Sequence, residues 1–251
     1  MIQSVDRGLY IAASGMLAEQ IRQDQIANDL ANASTPGYKA DRSAQASFAD
    51  LLLQNSQTGQ TVGSLSMGAH VARIVTSLEQ GPLQQTGDPL DIALQGDGFL
   101  AVDSGAGTRY TRNGQLSLDS QGRLMTVTGY LVLGTNGQPI TATGARTPDD
   151  ISISQAGVVS VSGRTVGTLA VVSLTGATKE GDTLFTGAAG ARPAGTTVDQ
   201  GYLEGSGVEP ARAMVDMIVS LRAYESSQRV LHAIDDTLGR ATTSVGSATG
   251  G

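Results

Sequence analysis

The chain has 251 residues, a net charge of −7, no Cys, no Trp and only two His. That length buries a sizeable core as one large domain or two small ones. The acidic balance argues against a nucleic-acid partner, because no basic face is present to neutralise phosphates. The absence of Cys excludes disulfide scaffolds and thiolate metal sites. No apolar run reaches the roughly 20 residues of a membrane-spanning helix, so a transmembrane protein is not expected. The few Lys and Arg are scattered and read as solvated surface.

The first element is helical. From Ser4 to Ala33, apolar or small residues recur at Leu9, Ala13, Met16, Leu17, Ile21, Ala27, Leu30 and Ala31, the spacing of one helix face. The stretch IANDLANASTPGYKA (26–40) then stops the helix. Ser34 and Thr35 favour local bonds to backbone, Pro36 pushes its predecessor out of the α region, and Gly37 permits a turn. The N-terminal MIQSVDRGLYIAASG lacks a positive n-region followed by an apolar h-region, so export by the general secretory route is not expected.

The middle, about Leu65 to Leu203, has a different period. Short runs such as GFLAV (98–102), QLSLD (115–119), RLMTV (123–127), YLVLG (130–134), DISIS (150–154), GVVSVSG (157–163) and TLAVVSL (168–174) are separated by Gly, Asn and Asp. Several alternate apolar with polar, which predicts half-buried strands and an all-β module. Asn113-Gly114 and Asn136-Gly137 are predicted hairpin turns.

From Val208 to Leu238 the pattern is helical again. Met214, Met217, Ile218, Leu221, Tyr224, Leu231, Ile234 and Leu238 follow steps of three and four, with Glu209-Pro210 opening the helix. The tail RATTSVGSATGG is small and polar and is expected to fray. The domain expectation is an assembly helix over 1–35, a linker over 36–64, a β-rich domain over 65–203, a second assembly helix over 204–240 and a flexible tail over 241–251. The fold class is therefore α+β.

Neither helix carries an apolar stripe broad enough to offset its own ordering entropy. Ala12, Ala13, Ala27, Ala31 and Ala33 permit close helix approach, and the amides of this region can satisfy one another across such contacts. A bundle built from many copies fits these side chains better than a monomer surface does.

No catalytic constellation stands out. GDGFLA (96–101) leads into a strand, whereas a dinucleotide fingerprint leads into a helix. His70 and His232 are isolated, and Asp149-Asp150 and Asp235-Asp236 read as surface or cap pairs. No enzyme activity, cofactor or metal is expected. A secreted adhesin or binding module would need an aromatic platform, and the chain holds six Tyr and three Phe without clustering them.

The motif IANDLANASTPGYKA resembles the N-terminal motif of bacterial flagellar rod and hook proteins, and GYLEGSGVEPARAMVDMIVSLRAYESSQRVL (201–231) resembles their C-terminal motif. Between them, TGDPLDIALQGDGFLAV (86–102) and YTRNGQLSLDSQGRL (110–124) resemble their β-domain motifs. The resemblance spans essentially the whole chain and is strongest to the proximal-rod member, then the distal-rod member, with a hook subunit third. It implies a structural subunit of the flagellar basal body, part of the rod crossing the periplasm and transmitting torque from motor to hook. It implies that the N- and C-terminal helices pair as a coiled-coil-like domain, with the central all-β domain between them in the chain. It also implies assembly with copies of itself and other axial proteins of rod and hook, and export unfolded through the flagellar type III apparatus without a cleaved signal. Carried over by resemblance, the assembly interface includes Ile26, Asn28, Leu30, Ala31, Asn32, Thr35, Gly37, Tyr38, Val208, Glu209, Met214, Met217, Ile218, Arg222, Tyr224 and Glu225. The helical stripes add Leu9, Ala13, Met16, Leu17, Ile21, Leu221 and Leu231.

Overall fold

The structure is a computed structural model describing residues 2–47, 51–54, 61–65, 69–145 and 147–248. Parts of the expected linker and the last three residues of the expected tail lie outside these. The chain divides into two compact units. Unit 1 comprises residues 1–30, 41–75 and 210–251, and unit 2 comprises 31–40 and 76–209.

Unit 1 holds both helices, α1 (Ile2–Ala31) and α2 (Pro210–Ala248). Its strands are β1 (Asp41–Ser47), β2 (Leu51–Gln54), β3 (Thr61–Leu65) and β4 (Ala69–Thr76). β1 pairs with β4 and β2 with β3, so the segment expected as a linker contributes strands. α2 begins at Pro210 as expected but runs to Ala248, beyond the expected end at 240. Its polar tail contains no Pro to interrupt the hydrogen-bond ladder.

The helices run antiparallel, touching through small residues. Ser220 Oγ donates to the Glu19 carbonyl at 3.2 Å and to Glu19 Oε2 at 2.7 Å. A Cβ on Gly15 would stand 3.7 Å from Ser227 Oγ, and one on Gly8 would stand 3.2 Å from Ile234. Gly8 and Gly15, like Ser227 and Ile234, are seven residues apart, so each pair faces the partner from one side of its helix.

Unit 2 is β-rich. Its strands are β5 (Leu83–Gln85), β6 (Ile92–Gln95), β7 (Phe99–Asp103), β8 (Thr108–Thr111), β9 (Leu116–Leu118), β10 (Leu124–Thr126) and β11 (Leu131–Val132). They continue with β12 (Ile151–Ile153), β13 (Val158–Val161), β14 (Arg164–Thr168), β15 (Val171–Val172), β16 (Leu174–Glu180), β17 (Leu184–Ala189), β18 (Thr197–Gln200) and β19 (Tyr202–Glu204). An eight-stranded sheet runs β16-β17-β8-β7-β11-β10-β9, with β15 also on β7, beside a β12-β13-β14 meander and the pairs β18-β6 and β19-β5.

β7 is buried on both faces, which is why FLAV reads as a continuous apolar run. Leu100 and Val102 join the main core with Leu124, Val132, Val159 and Val198. On its other face, the Phe99 ring packs against Phe185 at 5.2 Å between centroids. In β12, Ile151 and Ile153 are buried while Ser152 is exposed, following the predicted alternation.

The two Asn-Gly dipeptides behave differently. Asn136-Gly137 forms a tight turn in which Gly137 donates to the Gly134 carbonyl at 2.8 Å with φ of 75°. Asn113-Gly114 is not a hairpin turn, since β8 and β9 do not pair. It is a close crossing of two backbone segments, where the Gly114 carbonyl accepts from the Ile92 N–H at 3.0 Å and a Cβ would overlap the Ile92 carbonyl. Gly114→Ala should therefore lower stability by about 1–3 kcal/mol in urea unfolding, whereas Gly129→Ala, whose added methyl meets no neighbour, should lose only the smaller backbone strain of its positive φ.

Candidate assembly surface and junction

α1 and α2 leave apolar side chains uncovered. On α1, Leu17 is 59% exposed and Tyr10, Ile11 and Ile21 are exposed with it. On α2, Met214, Val215, Ile218, Val219, Leu221 and Val230 are exposed. Burial on α1 falls instead on Ala12, Ala18, Ile26 and Asp29, and on α2 Ser220 is the buried residue among those described. A helix pair held by Gly, Ala and Ser can cover only a narrow stripe. The larger apolar residues therefore face outward.

The expected interface residues divide accordingly. Ala13, Leu17, Ile21, Asn28 and Ala31 are exposed, while Leu9, Met16, Leu30, Asn32 and Thr35 are half-buried and Ile26 is buried. In the C-terminal part, Glu209, Met214, Ile218, Leu221, Arg222 and Glu225 are exposed, and Val208, Met217, Tyr224 and Leu231 are half-buried. Gly37 and Tyr38 lie elsewhere: both are buried within unit 2, Tyr38 completely. Their surfaces are used inside this chain.

What holds them there was not visible in the sequence. α1 ends at Ala31, and a turn follows in which the Thr35 N–H donates to the Asn32 carbonyl and the Tyr38 N–H to the Thr35 carbonyl. Gly37 then adopts φ of 69°, its N–H donates to the Glu204 carbonyl at 2.8 Å, and a Cβ there would overlap the Arg112 backbone. The Tyr38 carbonyl accepts from the Gly207 N–H at 2.9 Å. Lys179 Nζ sits 3.9 Å over the Tyr38 ring and donates to the Lys39 carbonyl.

Beside this turn lies a buried ion cluster. Lys39 and Glu204 are each 1% exposed and Arg112 is 4% exposed, contrary to the expectation that basic residues are solvated surface. Lys39 Nζ donates to Glu204 Oε1 at 2.5 Å and to the Glu79 carbonyl at 2.6 Å. Arg112 donates to Glu204 Oε2 at 3.1 Å and to the Gly96 carbonyl at 2.8 Å, and its guanidinium lies 5.2 Å over the Phe99 ring. The Gly81 N–H donates to Glu204 Oε1 at 2.8 Å. Burial holds the Lys39 ammonium below the usual lysine pKa, Glu204 opposes that pull, and Arg112 adds to it. The ring face of Phe99 offsets part of the excess positive charge.

Nothing else in the described residues resembles a reactive site. No His, Asp and Glu cluster among them could hold a metal ion. An open groove of about 450 Å³ is lined by Gln85, Asp149, Gln200 and Tyr202 among others, but the Gln200 carboxamide is already bonded to the Pro89 and Ile151 carbonyls and to the Ile153 N–H. No helix in the described residues is long and apolar enough to cross a membrane.

Three family models match in chain order. Residues 9–39 match the flagella basal body rod protein model, 93–161 the flagellar hook protein FlgE/F/G D1 domain, and 199–244 the flagellar basal body rod FlgEFG protein C-terminal model. The flagellar basal-body rod protein FlgG of Bacillus subtilis is 32% identical over 257 residues, covering 92% of this chain and 96% of that one. The chain belongs to the flagellar basal-body rod protein family. The rod protein FlgF of Caulobacter vibrioides is also 32% identical, covering 90% of this chain and 93% of that one. The FlgF of Escherichia coli is 32% identical over 94% and 97%. The protein is thus a structural subunit of the basal-body rod and not an enzyme. Each matched model contains one member of the buried cluster, Lys39 at the end of the first, Arg112 in the second and Glu204 near the start of the third.

Removing the shared carboxylate with Glu204→Gln should leave two buried cations uncompensated and cost about 3 kcal/mol or more in chemical unfolding. Glu180→Gln, which breaks the exposed pair with Arg109, should cost less than about 1 kcal/mol.

Proposed function

We propose that the exposed apolar faces of α1 and α2 are the surfaces through which this subunit polymerises into the rod, a drive shaft crossing the periplasm. The observation that carries this reading is a row of large apolar side chains, Leu17, Ile21, Met214, Ile218 and Leu221, left uncovered in a chain with a net charge of −7. Contiguous apolar surface of this kind marks interaction sites. A heterologous contact between identical subunits propagates into an open helical array, which is the geometry a shaft needs. Copies of this chain and other axial proteins of rod and hook complete the coiled-coil-like packing that the small-residue contact between α1 and α2 begins.

Of the interface expected from the sequence, the part on the helix faces comprises Leu9, Ala13, Met16, Leu17 and Ile21 with Asn28 and Ala31 on α1, and Met214, Met217, Ile218, Leu221, Arg222, Tyr224, Glu225 and Leu231 on α2; Ile26, Leu30, Asn32, Thr35, Gly37, Tyr38, Val208 and Glu209 complete it toward the helix ends. The subunit travels unfolded through the flagellar type III export apparatus, and its helix faces are covered only after arrival. The Ser34-Thr35-Pro36 form of the N-terminal motif and the chain length support a place in the proximal rod.

Leu17→Asp and Ile218→Asp place charge on side chains that the single chain leaves more than half exposed. Each should leave the stability of the isolated protein within about 0.5 kcal/mol while abolishing swimming and rod completion when it replaces the natural gene. Deletion of the gene should remove hook and filament while inner rings remain; fully motile deletion cells with intact basal bodies would contradict the rod reading.

A further inference from the structure

Every covalent path between the two units runs through a few short segments. The chain passes from one unit to the other after residues 30, 40, 75 and 209. Within unit 2, the residues next to three of these passages are gathered around one side chain. Lys39 brings the first segment to Glu204 Oε1. The Gly81 N–H brings the second to the same oxygen at 2.8 Å. Glu204 itself belongs to the third, five residues before Glu209.

Backbone bonds repeat the pattern. The Ser77 N–H donates to the Ala40 carbonyl at 2.9 Å, the Gly205 N–H to the Pro82 carbonyl at 2.8 Å, the Gly37 N–H to the Glu204 carbonyl and the Gly207 N–H to the Tyr38 carbonyl. Arg112, from the loop after β8, fixes the remaining carboxylate oxygen to the β domain. Segments 37–40, 77–82 and 204–207 are thus stitched together, and Glu204 is the residue shared by the ionic and the backbone stitches.

We propose that Glu204, with Lys39 and Arg112, is a junction clamp that makes the connecting segments act as one mechanical link. A subunit in a rotating shaft passes force between its units through these segments, so loose segments would stretch one at a time. A carboxylate bonded to all of them shares that force. The directional bonds to Gly81 and to the Glu79 and Gly96 carbonyls give it a role that an apolar plug of equal volume would not fill, because apolar contacts fix no such geometry. Lys39, Arg112 and Glu204 are positioning residues in this scheme. The force-carrying half of the proposal rests on the rod reading, and the clamp half does not.

Amide hydrogen exchange on the full-length chain tests the clamp. Lys39→Met removes one cation and leaves Arg112 paired with Glu204. Gly37→Ala blocks docking of the same turn sterically and leaves all three charges in place. In both variants, peptides covering 36–40 and 77–82 should exchange at least about tenfold faster than in the natural protein, because each undocks the turn that carries Lys39 and so loses its bonds to Glu204 and the Glu79 carbonyl. The peptide covering 92–102, through β6 and β7, should keep its protection. Loss of protection in 92–102 to the same extent, or no change in the junction peptides, overturns the clamp.

Cells carrying either variant should then swim normally in dilute buffer and slow disproportionately as medium viscosity rises. Unchanged swimming at high viscosity, with the junction peptides released, overturns the force-carrying role. Failure of the rod reading itself is separately visible in the deletion strain.

Discussion

A carboxylate with almost no exposed surface organises the middle of this protein. Glu204 is bonded to two cations and a backbone N–H in a place water does not reach. Burying a charge is costly unless it is paired and its remaining hydrogen-bonding capacity is met. Here both oxygens are used, and the cations are met in turn by carbonyls of Glu79 and Gly96 and by the Phe99 ring. The cluster is specific because each member comes from a different part of the chain. Lys39 lies 165 residues from Glu204, and Arg112 lies 92. Gly37 fits beside them because it carries no Cβ to strike the Arg112 backbone.

The helices show the opposite economy. Their mutual contact uses Gly8, Gly15, Ser220 and Ser227, so it is close but narrow. Large apolar residues that a monomer would bury stand outward on both. One part of the chain is a buried polar cluster whose shared carboxylate is bonded through both oxygens. The other is exposed apolar surface on both helices, which the proposed assembly would cover.

Much of this was legible in the residues. The helix steps of three and four located α1 and the start of α2, and the alternation of Ile151 and Ile153 located a half-buried strand. Local pattern reports on local periodicity, and its failures share a cause. Asn113-Gly114 has the composition of a hairpin turn, but the same Gly also serves where two backbones cross, and only the distant Ile92 decides between them. Lys39 and Arg112 looked like solvated surface because a basic residue is buried only when a partner elsewhere accepts its charge. The one available signal was Lys39 standing directly after Gly37-Tyr38 at the helix stop. The pairings β18-β6 and β19-β5 join residues about a hundred positions apart, and no short window contains both strands. An apolar helix stripe, finally, states that something must cover it without stating what.

In the proposed rod, one chain supplies both an internal clamp and an external assembly face. A reconstruction of the assembled rod containing this subunit, at a resolution that shows side chains, tests it most directly. Leu17, Ile21, Met214 and Ile218 should be packed against neighbouring subunits, with Lys39, Arg112 and Glu204 still bonded to one another within each chain. Solvent around those helix faces, or a Glu204 carboxylate paired with a different subunit, would contradict it.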